Sequence, residues 1–394
     1  MNICGIIAEY DPFHTGHARQ IQAARELLGS DCAIVCVMSG NWTQRGAPAI
    51  IGKHRRAQLA LMGGADLVLE LPLPYAISSA EWFARGGVSV LDAAGIVTHL
   101  CFGSECGDIG LLRRAADCLD REAYRQALRG ETAKGLSFPA ARQNAAAQLI
   151  GSGADCLSAP NNNLGVEYLR ALAWRKSAIE PVTILRQGAG HGEDARGGYA
   201  SATYLRTLLR NGRMDEAAPY LIDREVELLY SSQLADFSNA ERAVLYRLRQ
   251  MSVDELAALP DCGEGLSNRL YRAIRESASV EEILTAAKSK RYTHARLRRI
   301  LLWAYLGMTL HDRPDAPPYL RVLGMNGTGR ELLRAMQEKA SLPVLTKPAH
   351  VRQLPAGAQR LFELEARAAD LYSLCLPQPE PCGQEWTQSP VIHL

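Results

Sequence analysis

Apolar residues along the first half of the chain follow two alternating rhythms. Short continuous runs, NICGIIA at 2–8, CAIVCVM at 32–38, ADLVLEL at 65–71, VTHLCFG at 97–103 and PVTILR at 181–186, have the aliphatic density of strands buried on both faces. Between them, segments 16–28, 52–63 and 78–94 space their apolar positions at helical intervals. Buried strands joined by helices predict an α/β fold, a doubly wound, Rossmann-like parallel sheet. From about residue 200 the strand signal fades, and ERAVLYRLRQM, GLSNRLYRAIRES, VEEILTAAKSK and HARLRRILLWAYLG carry helical spacing with basic outer faces. The expected division is an α/β domain over 1–200, a mainly α-helical region over 201–345 and a C-terminal segment of unassigned structure over 346–394. Near that last boundary LPVLTK reads as a late strand, and the Pro-containing tail LPQPEPCGQEWTQSPVIHL as extended and weakly structured. The Gly-rich stretch RQGAGHGEDARGGYAS, 186–201, reads as a mobile loop.

Composition narrows this picture modestly. The 394 residues suffice for roughly two to three domains. A formal charge of +2 and a pI near 8.0 mean that any nucleic-acid-binding surface has to be local. Ten cysteines form no CxxC pair and mostly lie in apolar runs, so they are expected to be reduced thiols and not a zinc site. No apolar stretch reaches the ~20 residues of a membrane span, and the N-terminus lacks a basic region followed by an apolar one. The expectation is a cytoplasmic protein with no membrane partner.

Candidate chemistry concentrates in AEYDPFHTGH, residues 8–17, directly after the first strand. Ligands of open α/β sheets bind at the carboxyl ends of strands, which is where this turn falls. Gly16 lets backbone approach a ligand closely, and the helix that follows points its free N–H groups and positive dipole end at the loop. His14 and His17 add imidazoles able to stabilise charge on a phosphate. Taken alone they read equally as ordinary loop and helix-start residues.

The HxGH stretch His14, Gly16, His17 resembles the signature of the nucleotidylyltransferase superfamily, whose members bind ATP across this loop and release pyrophosphate. SATYLR, 201–206, is similar to a second element of that superfamily: Ser201 and Thr203 can cap a helix or bond phosphates, and Arg206 can reach the β- or γ-phosphate. Longer stretches, GIIAEYDPFHTGH, MSGNWTQRGAPAI, GADLVLELPLPYAISSAEWFARGGV, FGSE, GLSFPAARQ, PNNNLGVEYLRAL and KSKRYTHARLRRILL, together resemble the bacterial tRNA(Met) cytidine acetate ligase family from residue 1 to about 345.

That resemblance implies an enzyme that activates acetate with ATP as acetyl-adenylate and acetylates the wobble cytidine of elongator tRNA(Met), giving N4-acetylcytidine. It implies that Ile7, Ala8, Glu9, Tyr10, Asp11, Pro12, Phe13, His14, Thr15, Gly16, His17, Ala18, Arg19 and Gln20 wrap the ATP, with His14 and His17 catalytic. Gly103, an asparagine of PNNNLG and Arg186 would complete the nucleotide site, Asn162 being preferred and Asn161 the neighbour able to take its place. The same asparagines read equally as a helix N-cap. Asp11 stands where the family pattern has asparagine; a carboxylate there would repel phosphates, so it is expected to point away or cap the turn. Ser39, Asn41, Gln44 and Arg45 are candidates for the acetate pocket or a cover over it. Mg²⁺ is expected on the phosphates, with much of its shell supplied by water.

For the tRNA, Lys288, Lys290, Arg291, Arg296, Arg298 and Arg299 cluster around Tyr292, so that cations track phosphates and an aromatic plane stacks on a base; Arg269, Arg272 and Arg275 extend the patch. A solvated helix face explains the same run. Two other functions compete: an adenylyltransferase for a different small acceptor, and a non-catalytic, nucleotide-regulated RNA-binding protein.

Overall fold

The computed structural model describes residues 1–186, 195–196, 198–263 and 265–393. All five strands read from the sequence are present: β1 (Ile3–Ala8), β2 (Ala33–Ser39), β3 (Leu67–Leu71), β4 (His99–Ser104) and β5 (Glu180–Leu185). They pair in parallel in the order β3-β2-β1-β4-β5, so the chain reverses direction across the sheet between β1 and β4. That reversal opens a crevice at the carboxyl ends of those two strands, the position at which doubly wound sheets bind ligands. Every residue of β2 is buried, as expected of a strand covered on both faces.

Helices fill the intervals, α1 (Thr15–Leu28), α2 (Lys53–Met62), α3 (Ala80–Ala93) and α4 (Pro160–Arg175), followed by α5 (Ala202–Arg210). One apolar core lies between the sheet and α3 and α4, a second on the opposite face around α1, α2 and α5. The helical region contains α6 (Glu241–Gln250), α7 (Leu266–Glu276), α8 (Val280–Ala287) and α9 (His294–Tyr305), each matching a segment read from its spacing. Its core takes in Trp42, Leu73 and Ile77 from the first part of the chain.

Two features depart from the sequence reading. The sheet is mixed: β6 (Leu320–Met325) runs antiparallel beside β3, and β7 (Val344–Leu345) and β8 (Val391–Ile392) pair with β6. The buried Arg321 breaks the apolar run that would otherwise announce β6. The tail is also fastened: Glu385 is buried and paired with Lys53 and Arg321, while Lys53 Nζ lies 2.7 Å from Glu70 of β3. Helix α10 (Ala356–Ser373) precedes it, accepting a 3.0 Å hydrogen bond from Trp42 Nε1 at Ala368 O. Of the Gly-rich stretch, Ala195–Arg196 and Tyr199–Ala200 form a short antiparallel ribbon; residues 187–194 and 197, also part of the expected loop, lie outside the described residues.

Candidate active site

Where β1 ends, the chain crosses the crevice and enters α1 through a cap made of two histidines. His14 is the N-cap: its Nδ1 accepts from Gly16 N at 3.1 Å, and its own backbone N–H donates to His17 Nδ1 at 3.2 Å. This has the reciprocal logic of a Ser/Thr–Glu capping box, with imidazoles in both roles. The rings stack with centroids 3.7 Å apart. Beneath them Tyr10 and Phe13 meet the His17 ring at 4.8 and 5.5 Å, and the Phe13 ring occupies space that only glycine leaves free, since a Cβ on Gly63 would lie 2.2 Å from Phe13 Cζ.

The cap fixes the protons. A nitrogen that accepts an N–H bond carries no hydrogen, so each neutral ring bears its proton on Nε2. Burial, with Arg186 and Arg206 nearby, pushes His14 down to about 3. Burial, then His14 and Arg186, hold His17 well below the usual histidine range. Both are therefore neutral Nε2–H donors at ordinary pH, and among the described residues neither Nε2 has a hydrogen-bond partner.

Both rings face a cleft of about 660 Å³, within the roughly 300–1,000 Å³ of small-molecule sites. Ile7, Ala8, Glu9, Tyr10, Asp11 and Gln20 line it, with Gly103, Asn161, Arg186, Ser201, Thr203 and Arg206 across from them. Gly16 and Arg19 border a smaller recess beside His14 and Arg186. Pro12, Phe13, Thr15 and Ala18 are absent from both linings: they shape the loop and do not face the space. The Asp11 carboxylate is engaged within the protein: its Oδ1 accepts from Ile50 N at 2.6 Å and its Oδ2 lies 3.3 Å from Arg206. Arg206 also donates to Asp11 O at 2.6 Å and to Thr203 Oγ1 at 3.1 Å, so its charge is largely engaged within the protein. Ser201 caps α5, accepting from Tyr204 N.

The two asparagines separate. Asn162 is buried and turned inward, its Oδ1 accepting from Glu105 N and Cys106 N and its amide nitrogen donating to Cys156 O. Asn161 lines the cleft, its Oδ1 accepting from Arg186 Nη1 at 3.2 Å. Neither is an N-cap; the carboxylate of Glu105 caps α4 instead, accepting from the N–H groups of Asn161 at 3.1 Å and Asn162 at 2.7 Å. Gly103 admits the Arg186 stem, which would lie 3.0 Å from an added Cβ. Phe102, Leu164 and Tyr168 form an apolar wall that the motif reading missed; the i, i+4 spacing of Leu164 and Tyr168 was its signal.

Of the four acetate-pocket candidates only Arg45 reaches the cleft. Ser39 is sealed in the core, Asn41 Oδ1 accepts from Lys53 N, and Gln44 N donates to Glu9 Oε1 at 2.6 Å. In the basic cluster Lys288, Lys290, Arg291 and Arg298 are exposed, whereas Arg296 and Arg299 are half-buried. Arg296 donates twice to Asp261 O, and Arg269 to the carbonyls of Ala286, Ala287 and Lys288. Tyr292 is only 7% exposed and packs in the helical core, which removes it as a stacking platform. The described residues contain no group of three or more metal-ligating side chains, and Glu9 and Asp11 both hold backbone N–H groups, so the residues present form no magnesium cage.

Residues 1–386 match the family model of the HIGH nucleotidyl transferases. The chain is 36% identical to the tRNA(Met) cytidine acetate ligase of Acetivibrio thermocellus and 38% identical to that of a Thermoanaerobacter species, covering all of each. The crystal structure of Thermotoga maritima TmcAL bound with alpha-thio ATP superposes with a TM-score of 0.92 at 33% identity, over 100% of this chain and 99% of that one. Its apo form gives 0.94 at 34% identity over the same shares. No helix among the described residues is long and apolar enough to cross a membrane.

Proposed function

Because this chain belongs to the HIGH nucleotidyl transferase family and, within it, to the tRNA(Met) cytidine acetate ligases, we propose that it acetylates the wobble cytidine of elongator tRNA(Met) in two steps. In the first, an acetate oxygen attacks the α-phosphorus of ATP. The bond to the β-phosphate oxygen breaks, and its electron pair leaves with pyrophosphate. In the second, the cytidine amine attacks the acetyl carbonyl and AMP departs.

The observation that carries this reading is the histidine cap. Two neutral Nε2–H donors stand beside the N-terminus of α1, preorganised before any ligand arrives, where charge develops on the α-phosphate and leaving group. Arg186, close enough to depress both histidines and held by Asn161, supplies the cation for the phosphates. The wall of Phe102, Leu164 and Tyr168 suits the adenine. Acetate offers little binding energy, so rate comes from holding its carboxylate in line with the phosphorus. Magnesium would enter on the ATP phosphates with a shell of water, and no step here depends on a protein ligand to it. Free thiols throughout fit a cytoplasmic site of action.

The test is incubation with ATP, labelled acetate and bulk tRNA, followed by nucleoside analysis, with a control lacking tRNA assayed for acetyl-adenylate. Labelled acetylcytidine is the expected product. Acetyl-adenylate without labelled RNA would return the acceptor to another small molecule, and neither product would leave a nucleotide-regulated RNA binder.

A further inference from the structure

A second chamber of about 400 Å³ opens off the ATP cleft, and Asp11, Arg45, Thr203 and Arg206 border both spaces. It is the seam between the sheet domain and the helical region. One wall is the ribbon Trp42–Thr43/Ala47–Pro48, the other α5, α8 and α9. The two sides meet at backbone distance: Gly46, with φ of +75°, leaves no room for a side chain, because a Cβ there would lie 2.6 Å from Arg298 C and Arg299 N.

The four arginines of this chamber fall into two kinds. Arg206 is paired with Asp11, and Arg210 Nε lies 3.0 Å from Asp236 Oδ2; these build the wall. Arg45 has no hydrogen bond or ion pair among the described residues, and Arg298 has only a 3.8 Å contact with the exposed Glu281. The chamber also has an aromatic surface, Phe237, half-buried and steadied edge-on by Tyr305 at 5.8 Å and Trp42 at 6.3 Å. A cavity of nucleoside size holding one aromatic ring and two guanidinium groups outside any close ion pair is suited to a single-stranded nucleotide drawn out of its stack.

Resting on the ligase reading above, we propose that this chamber is the acceptor pocket: the target cytidine enters at the seam, its base against Phe237 and its flanking phosphates on Arg298 and Arg45. The position fits the chemistry. The chamber meets the cleft along Asp11, Arg45, Thr203 and Arg206 and shares none of the apolar wall of Phe102, Leu164 and Tyr168, so a base seated there lies apart from the surface assigned to the adenine. The N4 lone pair forms the new bond to the acetyl carbon, the carbon–oxygen bond to phosphate breaks with its electrons leaving on AMP, and the N4 proton passes to water. The exposed Lys288, Lys290 and Arg291, in the connection between α8 and α9, are available to phosphates elsewhere on the RNA.

The test compares wild type, Phe237→Leu and Phe237→Trp by the ratio of two rates in one preparation: acetylcytidine formation on tRNA, and acetate-dependent ATP–pyrophosphate exchange without tRNA. Leucine keeps apolar volume but removes the stacking face, so the ratio should fall by roughly 10- to 100-fold, and tryptophan should recover most of it. An unchanged ratio in Phe237→Leu, or failure of tryptophan to recover it, overturns the pocket while leaving the ligase reading intact. Absence of acetylcytidine with the wild-type protein overturns both.

Discussion

Replacing His14 by asparagine and by alanine separates its two roles. As N-cap, His14 accepts from Gly16 N, and its ring stacks on His17. Alanine loses both, which should cost about 1 kcal/mol for the cap and roughly 0.5–1 kcal/mol for the ring contact. Asparagine is among the best N-cap residues and restores the first, so its stability should lie within about 0.5–1 kcal/mol of wild type. Neither substitute places a donor where Nε2–H stood. Removing one preorganised donor from a developing oxyanion typically lowers kcat by about 10²–10³, and both variants should show that loss. Denaturant melts give the first quantity and acetate-dependent ATP–pyrophosphate exchange the second. Exchange in His14→Asn within about threefold of wild type would refute the donor role, because a loss of 10² is the smallest this mechanism allows. Equal destabilisation of the two variants would refute the cap.

Three further outcomes follow from the same geometry. Among the described residues neither buried ring nitrogen of His54 has a partner, and burial, then Lys53, push it down to about 3. The unfolded chain takes up a proton below pH ~6.5 that the folded one refuses, so stability is full above that pH and lost on acidification; His54→Leu should gain about 2 kcal/mol at pH 5 relative to pH 8, and equal effects at the two pH values in urea titrations would count against it. Lys290→Ala with Arg291→Ala should reduce the slope of log affinity for tRNA against log salt by about 1.5, read by filter binding; an unchanged slope would remove both from the interface. Gly46→Ala combines a left-handed backbone with a backbone clash at Arg298, so it should lower the melting temperature by several degrees and abolish RNA acetylation; a wild-type melting curve would show that the seam is loose.

The parallel core was legible because sheet strands packed by helices are dense in aliphatic residues, and five such runs stand out without knowledge of their neighbours, even β5, which is only partly covered. β6 was not, because its charge is neutralised by groups remote in sequence: Arg321 meets Glu70 at 3.5 Å, and Glu385 comes from the tail. The same pairing explains why a Pro-containing tail that reads as loose is held. In the site, the histidine turn could be read because its chemistry is local, two rings three residues apart closing one helical cap. The choice between Asn161 and Asn162 could not, since adjacent residues of a helix differ by about 100° in direction and the phase of α4 is set by Glu105, 56 residues earlier than Asn161. Tyr292 misled for the same reason: its basic neighbours suggested exposure, while the packing turned its ring into the core.

Charge makes the point most sharply. The chain has 44 basic and 42 acidic residues, and that near balance conceals any anion site. What distinguishes the cleft and the seam is which arginines lack an acid. Asp11 and Asp236 neutralise Arg206 and Arg210, turning them into structural supports that hold loop and helix together. Among the described residues Arg186 has only the carbonyl of the Asn161 amide, Arg45 has no hydrogen bond or ion pair, and Arg298 has a long contact in solvent. These three follow a path from the histidine cap to the basic face of α9. A phosphate gains most from a cation that no carboxylate already satisfies, so the proposed route of the nucleotides is the one that runs along the arginines the fold leaves outside ion pairs.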